Sequence, residues 1–189
     1  MHTFTGGLSS ALFRPARAFV LASAAVVALA GSHASAAAAE PAVAHGASLN
    51  TLVQARSWLN GKPTRDALRG KVVLVDVFTF DCINCKNVTP NLRSLRRNTP
   101  HDLAIIGIHS PETSYERDHD QVVQHLARLG VTWPVAIDND FALWHAYSVD
   151  AWPTQLIFDR RGKLRKVVVG DSQDAAVDAT VDALLREPA

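Results

Sequence analysis

The sequence predicts an α/β domain, a three-layer α/β/α sandwich around a mixed central sheet. Two observations carry this. Strongly β-branched runs at residues 71–79 (KVVLVDVFT) and 103–108 (LAIIGI) alternate with segments of helical period, as buried parallel strands joined by crossover helices do. Further on, two strand-like runs at 154–158 and 163–169 are separated only by Asp159-Arg160-Arg161-Gly162. A hairpin that tight forces antiparallel pairing, so the sheet must be mixed.

The elements follow in order. Residues 1–36 read as an export signal. Arg14 and Arg17 are its only charges, residues 18–30 are uniformly apolar or small, and Ala34-Ser35-Ala36 supplies a small-x-small cleavage pattern. As a helix the apolar run rises about 20 Å, short of a hydrocarbon core of roughly 30 Å. The alternative is an uncleaved anchor, which would be the chain's one tie to a membrane. No Cys lies near the cleavage pattern to take a lipid. Residues 37–50 are expected to be an Ala-rich linker, and 51–189 the folded domain, of roughly 140 residues and so one ordinary unit.

Within that domain, residues 57–70 carry turn signals at Asn60-Gly61 and a short helical stretch ending at Gly70. The run at 71–79 is a central strand. Residues 86–97 are helical, with a kink expected at Pro90. After the strand at 103–108, apolar residues at 122, 123, 126 and 129 give a helix over 118–129 that stops at Gly130. A strand is expected over 131–137 and a short helix over 141–147. The hairpin follows, and an amphipathic helix spans 175–185.

Composition narrows the function. Lys+Arg 19 against Asp+Glu 18 leaves a net charge of +1, which argues against a nucleic-acid partner. Hydrophobic residues are 48% of the chain, enough for a packed core. Only two cysteines occur, Cys82 and Cys85. Closing so short a loop removes little unfolded-state entropy, so stability is a poor reason for the pair. A zinc site would need a second ligand pair, which is missing. Reactivity remains. Cys82-Ile83-Asn84-Cys85 sits where a buried strand gives way to a helix, whose free N–H groups and dipole favour an anion and lower the first thiol's pKa. A spacing of three brings both sulfurs to one face of the first turn. Cys82 is then the nucleophile and Cys85 the residue that resolves a mixed disulfide.

The stretch VLVDVFTFDCINC resembles the active-site strand and turn of thioredoxin-fold proteins, specifically the exported TlpA/ResA-like and DipZ-type branch. Flanking stretches agree: WLNGKP and LRGKVVLVD upstream, GIHSPE and WPVAIDNDFALWHAY downstream, then DAWPTQLIFDRRGK, so the resemblance covers about residues 57–186. It implies a thioredoxin fold with a TlpA-type central insertion, and a protein thiol-disulfide oxidoreductase outside the cytoplasm. Cys82 and Cys85 match the redox pair. Asp76 matches the buried acid that takes the proton from the second thiol. Pro153 matches the cis-proline facing the cysteines, leaving the Trp152 backbone to pair with an extended substrate. Trp133-Pro134 lacks that context. No organic cofactor or metal is implied. The expected partners are protein thiols and disulfides and, for a reductase, a separate membrane electron donor; the chain is expected to be a monomer.

Departures from the family sharpen the expectation. Phe78 stands where thioredoxins usually carry Trp, Ile83-Asn84 replaces Gly-Pro, and Asp81, directly before the nucleophile, opposes its thiolate. Trp152 is bulky enough to roof the site. Together these favour a reductase over a strong oxidant. Glu112 and Glu116 are candidate modulators of the dithiol, although loop acids of this kind are more commonly a solvated face. Two rivals stand beside this reading. Thr79-Phe80-Asp81-Cys82 resembles part of the peroxiredoxin nucleophile motif, but the proline expected seven residues before the cysteine is Val75. A copper chaperone could add His109 or His145 to the two thiolates.

Overall fold

The computed structural model describes residues 47–188; the expected leader at 1–36 and most of the expected linker at 37–50 lie outside the described residues. Six strands form one mixed sheet in the order β1-β4-β3-β2-β5-β6. They are β1 (Ser57–Leu59), β2 (Val72–Phe78), β3 (Leu103–His109), β4 (Val135–Ile137), β5 (Thr154–Phe158) and β6 (Leu164–Val169). The helices are α1 (Leu49–Leu52), α2 (Arg65–Leu68), α3 (Ile83–Asn98), α4 (His119–Leu129), α5 (Ala142–Ala146) and α6 (Asp174–Arg186).

All seven residues of β2 are buried, because this strand is central and covered on both faces. Alternate residues divide between two cores, as period-2 geometry requires. Val72, Leu74 and Phe78 pack with Leu92 and Leu95 of α3, Val122 and Leu126 of α4, and Val181 of α6. Val73, Val75 and Val77 pack with Leu52 of α1, Leu68 of α2, Leu143 of α5 and Tyr147. β2 runs parallel to β3, pairing Val72 with Leu103 through to Phe78 with His109. It runs antiparallel to β5, pairing Val73 with Phe158 through to Val77 with Thr154. Where Gly107 lies opposite Asp76, an added Cβ would sit 2.9 Å from the Phe78 ring, so only glycine lets that ring lie over the strand.

The hairpin forms as expected. Gly162 donates its N–H to Asp159 O at 2.9 Å and takes φ +75°, which glycine adopts without strain. Asp159 Oδ1 accepts from the N–H groups of Arg161 and Lys163.

Three boundaries differ from the sequence reading. β4 begins only at Val135, not at residue 131. Pro134 has no N–H for the ladder and contributes only its carbonyl, to Gly107 N–H at 2.9 Å. The carbonyls of Val131 and Trp133 are taken instead by the Asn60 side-chain amide. β1 was read only as turn; its three residues pair with β4, Trp58 opposite Ala136. α3 runs on through Pro90 as one helix of 16 residues, so the kink expected there does not break it; Pro90 lies on the exposed side. Between β3 and α5, where the resemblance places a central insertion, the chain carries a 3-10 turn (Tyr115–Arg117), α4 and β4.

Candidate active site

β2 ends at Phe78, and three residues, Thr79, Phe80 and Asp81, carry the chain to Cys82. Cys82 is the N-cap of α3 and accepts the N–H of Cys85 on its sulfur at 3.2 Å. The two cysteines are joined in a disulfide, their Cα atoms 5.3 Å apart. Cys82 is half-buried and Cys85 is 3% exposed, so an incoming sulfur meets Cys82 first. Ile83, next in the chain, is 67% exposed and gives the rim an apolar edge.

Asp76 shares the sheet face of Leu74 and Phe78, the face covered by α3 and Cys85. It is buried, and its Oδ1 has no hydrogen-bond donor among the described residues. Burial pushes its carboxyl up to about 7, an effect only partly offset by the side chain of Gln155, its neighbour across β5. An acid that is half ionised near neutrality, on the face of Cys85, can accept and return a proton.

The resemblance implied a cis-proline at residue 153. The Trp152–Pro153 peptide is cis, and the Trp133–Pro134 peptide is not. The Pro153 carbonyl accepts from Gly170 N–H at 2.8 Å. Trp152 and Cys82 are both half-buried against the same apolar cluster. The indole is fixed twice: its N–H donates to Ser110 O at 3.0 Å, and its ring lies on Trp144 with centroids 4.3 Å apart. Behind it, buried Asp138 accepts from Ser110 Oγ and from the N–H groups of Leu143 and Trp144, each at 2.9 Å. Ser110 and Asp138 thus set the pose of both rings.

Asp81 is exposed and paired with Lys86 at 3.0 Å, which moderates the charge it brings near Cys82. Glu112 is exposed too. Glu116 is not part of a solvated face; it is 1% exposed. One of its oxygens accepts from Thr79 Oγ1 at 2.5 Å and Asp81 N–H at 3.2 Å. The other accepts from the N–H groups of Glu112 and Thr113 at 2.8 and 2.7 Å and from Thr113 Oγ1 at 3.3 Å. Burial opposes its ionisation, yet these donors hold its carboxyl below the usual range. The signal was available: Thr113-Ser114-Tyr115-Glu116 has capping-box spacing, in which the acid bends back to the first residue's N–H.

Phe80 is fully buried, its ring stacked between His125, 4.0 Å away, and His109, 5.6 Å away. His109 is buried as well, with its pKa lowered to about 4 by burial, against a smaller upward pull from Glu116. Enclosed by Phe78 and Phe80, its ring belongs to the core and not to a ligand set beside the thiols. His145 is exposed on α5.

The raised Asp76 pKa has a consequence for stability. In the unfolded chain the group ionises near pH 4; in the fold it holds its proton to about 7. Stability from this residue is therefore full below about pH 4, is lost as pH rises to about 7, and stays level above. Asp76→Asn should abolish that slope and leave the oxidised protein more stable than the parent by roughly 2–4 kcal/mol at pH 8. Denaturant midpoints between pH 4 and 8 check this, and parallel curves for the two proteins would refute it.

Comparison with known proteins agrees with this geometry. A family model described as thioredoxin-like matches residues 70–164. The protein DipZ of Mycobacterium bovis is 34% identical over 135 residues, which is 69% of this chain but 19% of DipZ, so the chain spans less than a fifth of that relative. The thiol-disulfide oxidoreductase YkuV of Bacillus subtilis is 29% identical over 133 residues, 70% of this chain and 90% of YkuV. A crystal structure of a thiol-disulfide isomerase from Corynebacterium glutamicum superposes with a TM-score of 0.65 at 26% identity, over 70% of this chain and 93% of that one. With the family match spanning strand, cysteine pair and cis-proline, this chain belongs to the thioredoxin-like family.

Proposed function

We propose that this protein is a thiol-disulfide oxidoreductase that reduces disulfides in protein clients outside the cytoplasm. The observation that carries the reading is the Cys82–Cys85 disulfide at the N-terminus of α3, one sulfur half-exposed and the other buried on the face of a carboxyl group titrating near neutrality. In the dithiol form, the Cys82 thiolate attacks a client disulfide, and the client's first sulfur leaves as a thiolate. Asp76 takes the proton from the Cys85 thiol. The Cys85 thiolate then attacks Cys82, releasing the client's second sulfur and closing the disulfide described here. Two electrons and two protons from a donor restore the dithiol. The strand β5 starts at Thr154, so the backbone of Trp152 stands just outside the ladder, where an extended client segment can pair with it.

The reducing direction is supported by the charges around Cys82. Asp81 lies beside it and Glu116 reaches the same turn, and neighbouring anions disfavour a thiolate. The extracytoplasmic location rests on the leader pattern of residues 1–36, and the donor is accordingly taken to be a separate membrane protein. The chain is taken to act as a monomer.

Equilibration with glutathione should give a reduction potential near that of thioredoxin, about −270 mV; a value near −120 mV would overturn the reducing direction. Cys85→Ser, expressed with its leader, should accumulate mixed disulfides on Cys82 with exported proteins and with a membrane-embedded donor; capture of neither would refute the assigned roles. Asp76→Asn should slow release of the client by roughly 10- to 100-fold at pH 7 while leaving the first attack by Cys82 near its parent rate. Single-turnover kinetics that separate the two steps check this, and an equal loss in both would remove Asp76 from the base role.

A further inference from the structure

We propose that Glu116 is a positioning residue for the dithiol: its carboxylate fastens the turn at residues 79–81 that presents Cys82, and holds beside that turn a fixed negative charge that biases the pair toward the disulfide. The inference rests on the thiol-disulfide reading above and adds to it a side chain 34 positions beyond the nucleophile.

The two oxygens of Glu116 face different parts of the chain. One binds Thr79 and Asp81, on the connection between β2 and Cys82; the other binds Glu112 and Thr113, at the start of the segment that leads to α4. The carboxylate therefore bolts that segment to the redox turn. Between its two anchor points on the turn, Phe80 is clamped by its own stack with His109 and His125, so backbone and side chain are held together.

The charge it holds is not neutralised by a cation. No Lys or Arg pairs with Glu116 among the described residues, and Lys86, which reaches the turn, is engaged by Asp81 at 3.0 Å. Of the other ionisable groups around the site, His109 is held neutral by burial and His125 stacks on the far face of Phe80. Asp76 lies on the sheet side. The Asp81 N–H, one residue from the nucleophile, donates to Glu116, which brings the carboxylate to the turn that carries Cys82. A Cys82 thiolate thus keeps the Cys85 N–H as a partner, while the buried Glu116 carboxylate is bound to the backbone N–H of the residue before Cys82. The negative charge raises the free energy of the thiolate, which makes the dithiol the better electron donor.

The test uses the full chain with Glu116→Gln and, as a matched loss of charge on an exposed neighbour, Glu112→Gln. Two quantities are read: the pH dependence of Cys82 alkylation in the reduced protein, and the equilibrium of the protein disulfide plus two glutathione thiols with the dithiol plus glutathione disulfide. Glu116→Gln should raise the thiolate fraction at pH 7 roughly three- to tenfold and move the glutathione equilibrium toward the dithiol. Glu112→Gln should leave both within about twofold of the parent. A lower melting temperature with both readouts at the parent value, or equal shifts in the two variants, would overturn the proposal. A measurement on the parent chain needs no variant to fold: the side-chain carboxyl 13C resonance of Glu116 should move as Cys82 ionises in the reduced form and stay still over that pH range in the disulfide form. Absence of that movement would also overturn it. If the parent pair does not exchange with glutathione at all, the thiol-disulfide reading fails; if it exchanges and Glu116→Gln matches it, only this inference fails.

Discussion

Burial of β2 on both faces is the constraint from which the site is built. A strand with apolar side chains on both sides must lie at the centre of a covered sheet, and its seven residues do. That fixes the height at which the chain leaves the sheet, and hence where Cys82 caps α3. It also places Asp76, on the same strand, among apolar neighbours on the face that carries Cys85. The sulfur pair and the acid are set by one strand, so their relation does not depend on loops. Loops supply what surrounds the sulfur pair: the cis Trp152–Pro153 turn before β5 and the exposed Ile83.

Trp152, packed against the same apolar cluster as Cys82, is held more indirectly. Trp152 would be free to swing if only its own backbone held it. Its indole is held by the Ser110 carbonyl and by the ring of Trp144, and both of those depend on Asp138. A buried carboxylate that accepts three hydrogen bonds at the end of β4 thus determines the shape presented next to Cys82. This is how the segment between β3 and α5 bears on the site although it contributes no sulfur.

The sequence made the central strands, the hairpin, α4 and α6 legible, because each buries an apolar pattern long enough to show its period. Cys82, Cys85 and Pro153 were legible through motif order. Two things were not. Three residues, Ser57 to Leu59, have no period to display, and β1 exists only because β4 offers it an edge. Val131 and Trp133 are buried, as strand residues would be, but Pro134 and the Asn60 amide divert their backbone from the ladder. The burial of Glu116, named above as a candidate modulator with a solvated face as the commoner alternative, was hidden for a related reason. Acids between loop residues are ordinarily solvated, and only its donors, two of them more than 30 residues away in the chain, explain why this one is buried.

Asp76 and Glu116 show what burial does and does not decide. Both carboxyls are nearly inaccessible, yet one is pushed up to about 7 and the other is held below its usual range. Desolvation acts on both in the same direction. What differs is the supply of donors: Glu116 has five, three of them backbone N–H groups that folding has already fixed, whereas one oxygen of Asp76 has none among the described residues. An acid without donors can exchange a proton near neutral pH, because neither of its states is strongly preferred. An acid saturated with donors cannot, and serves as a permanent charge and a mechanical tie. In the function proposed above the two play different parts, a proton acceptor for Cys85 and a fixed charge at the turn before Cys82, and the difference between them follows from which backbone N–H groups the surrounding turns leave pointing inward.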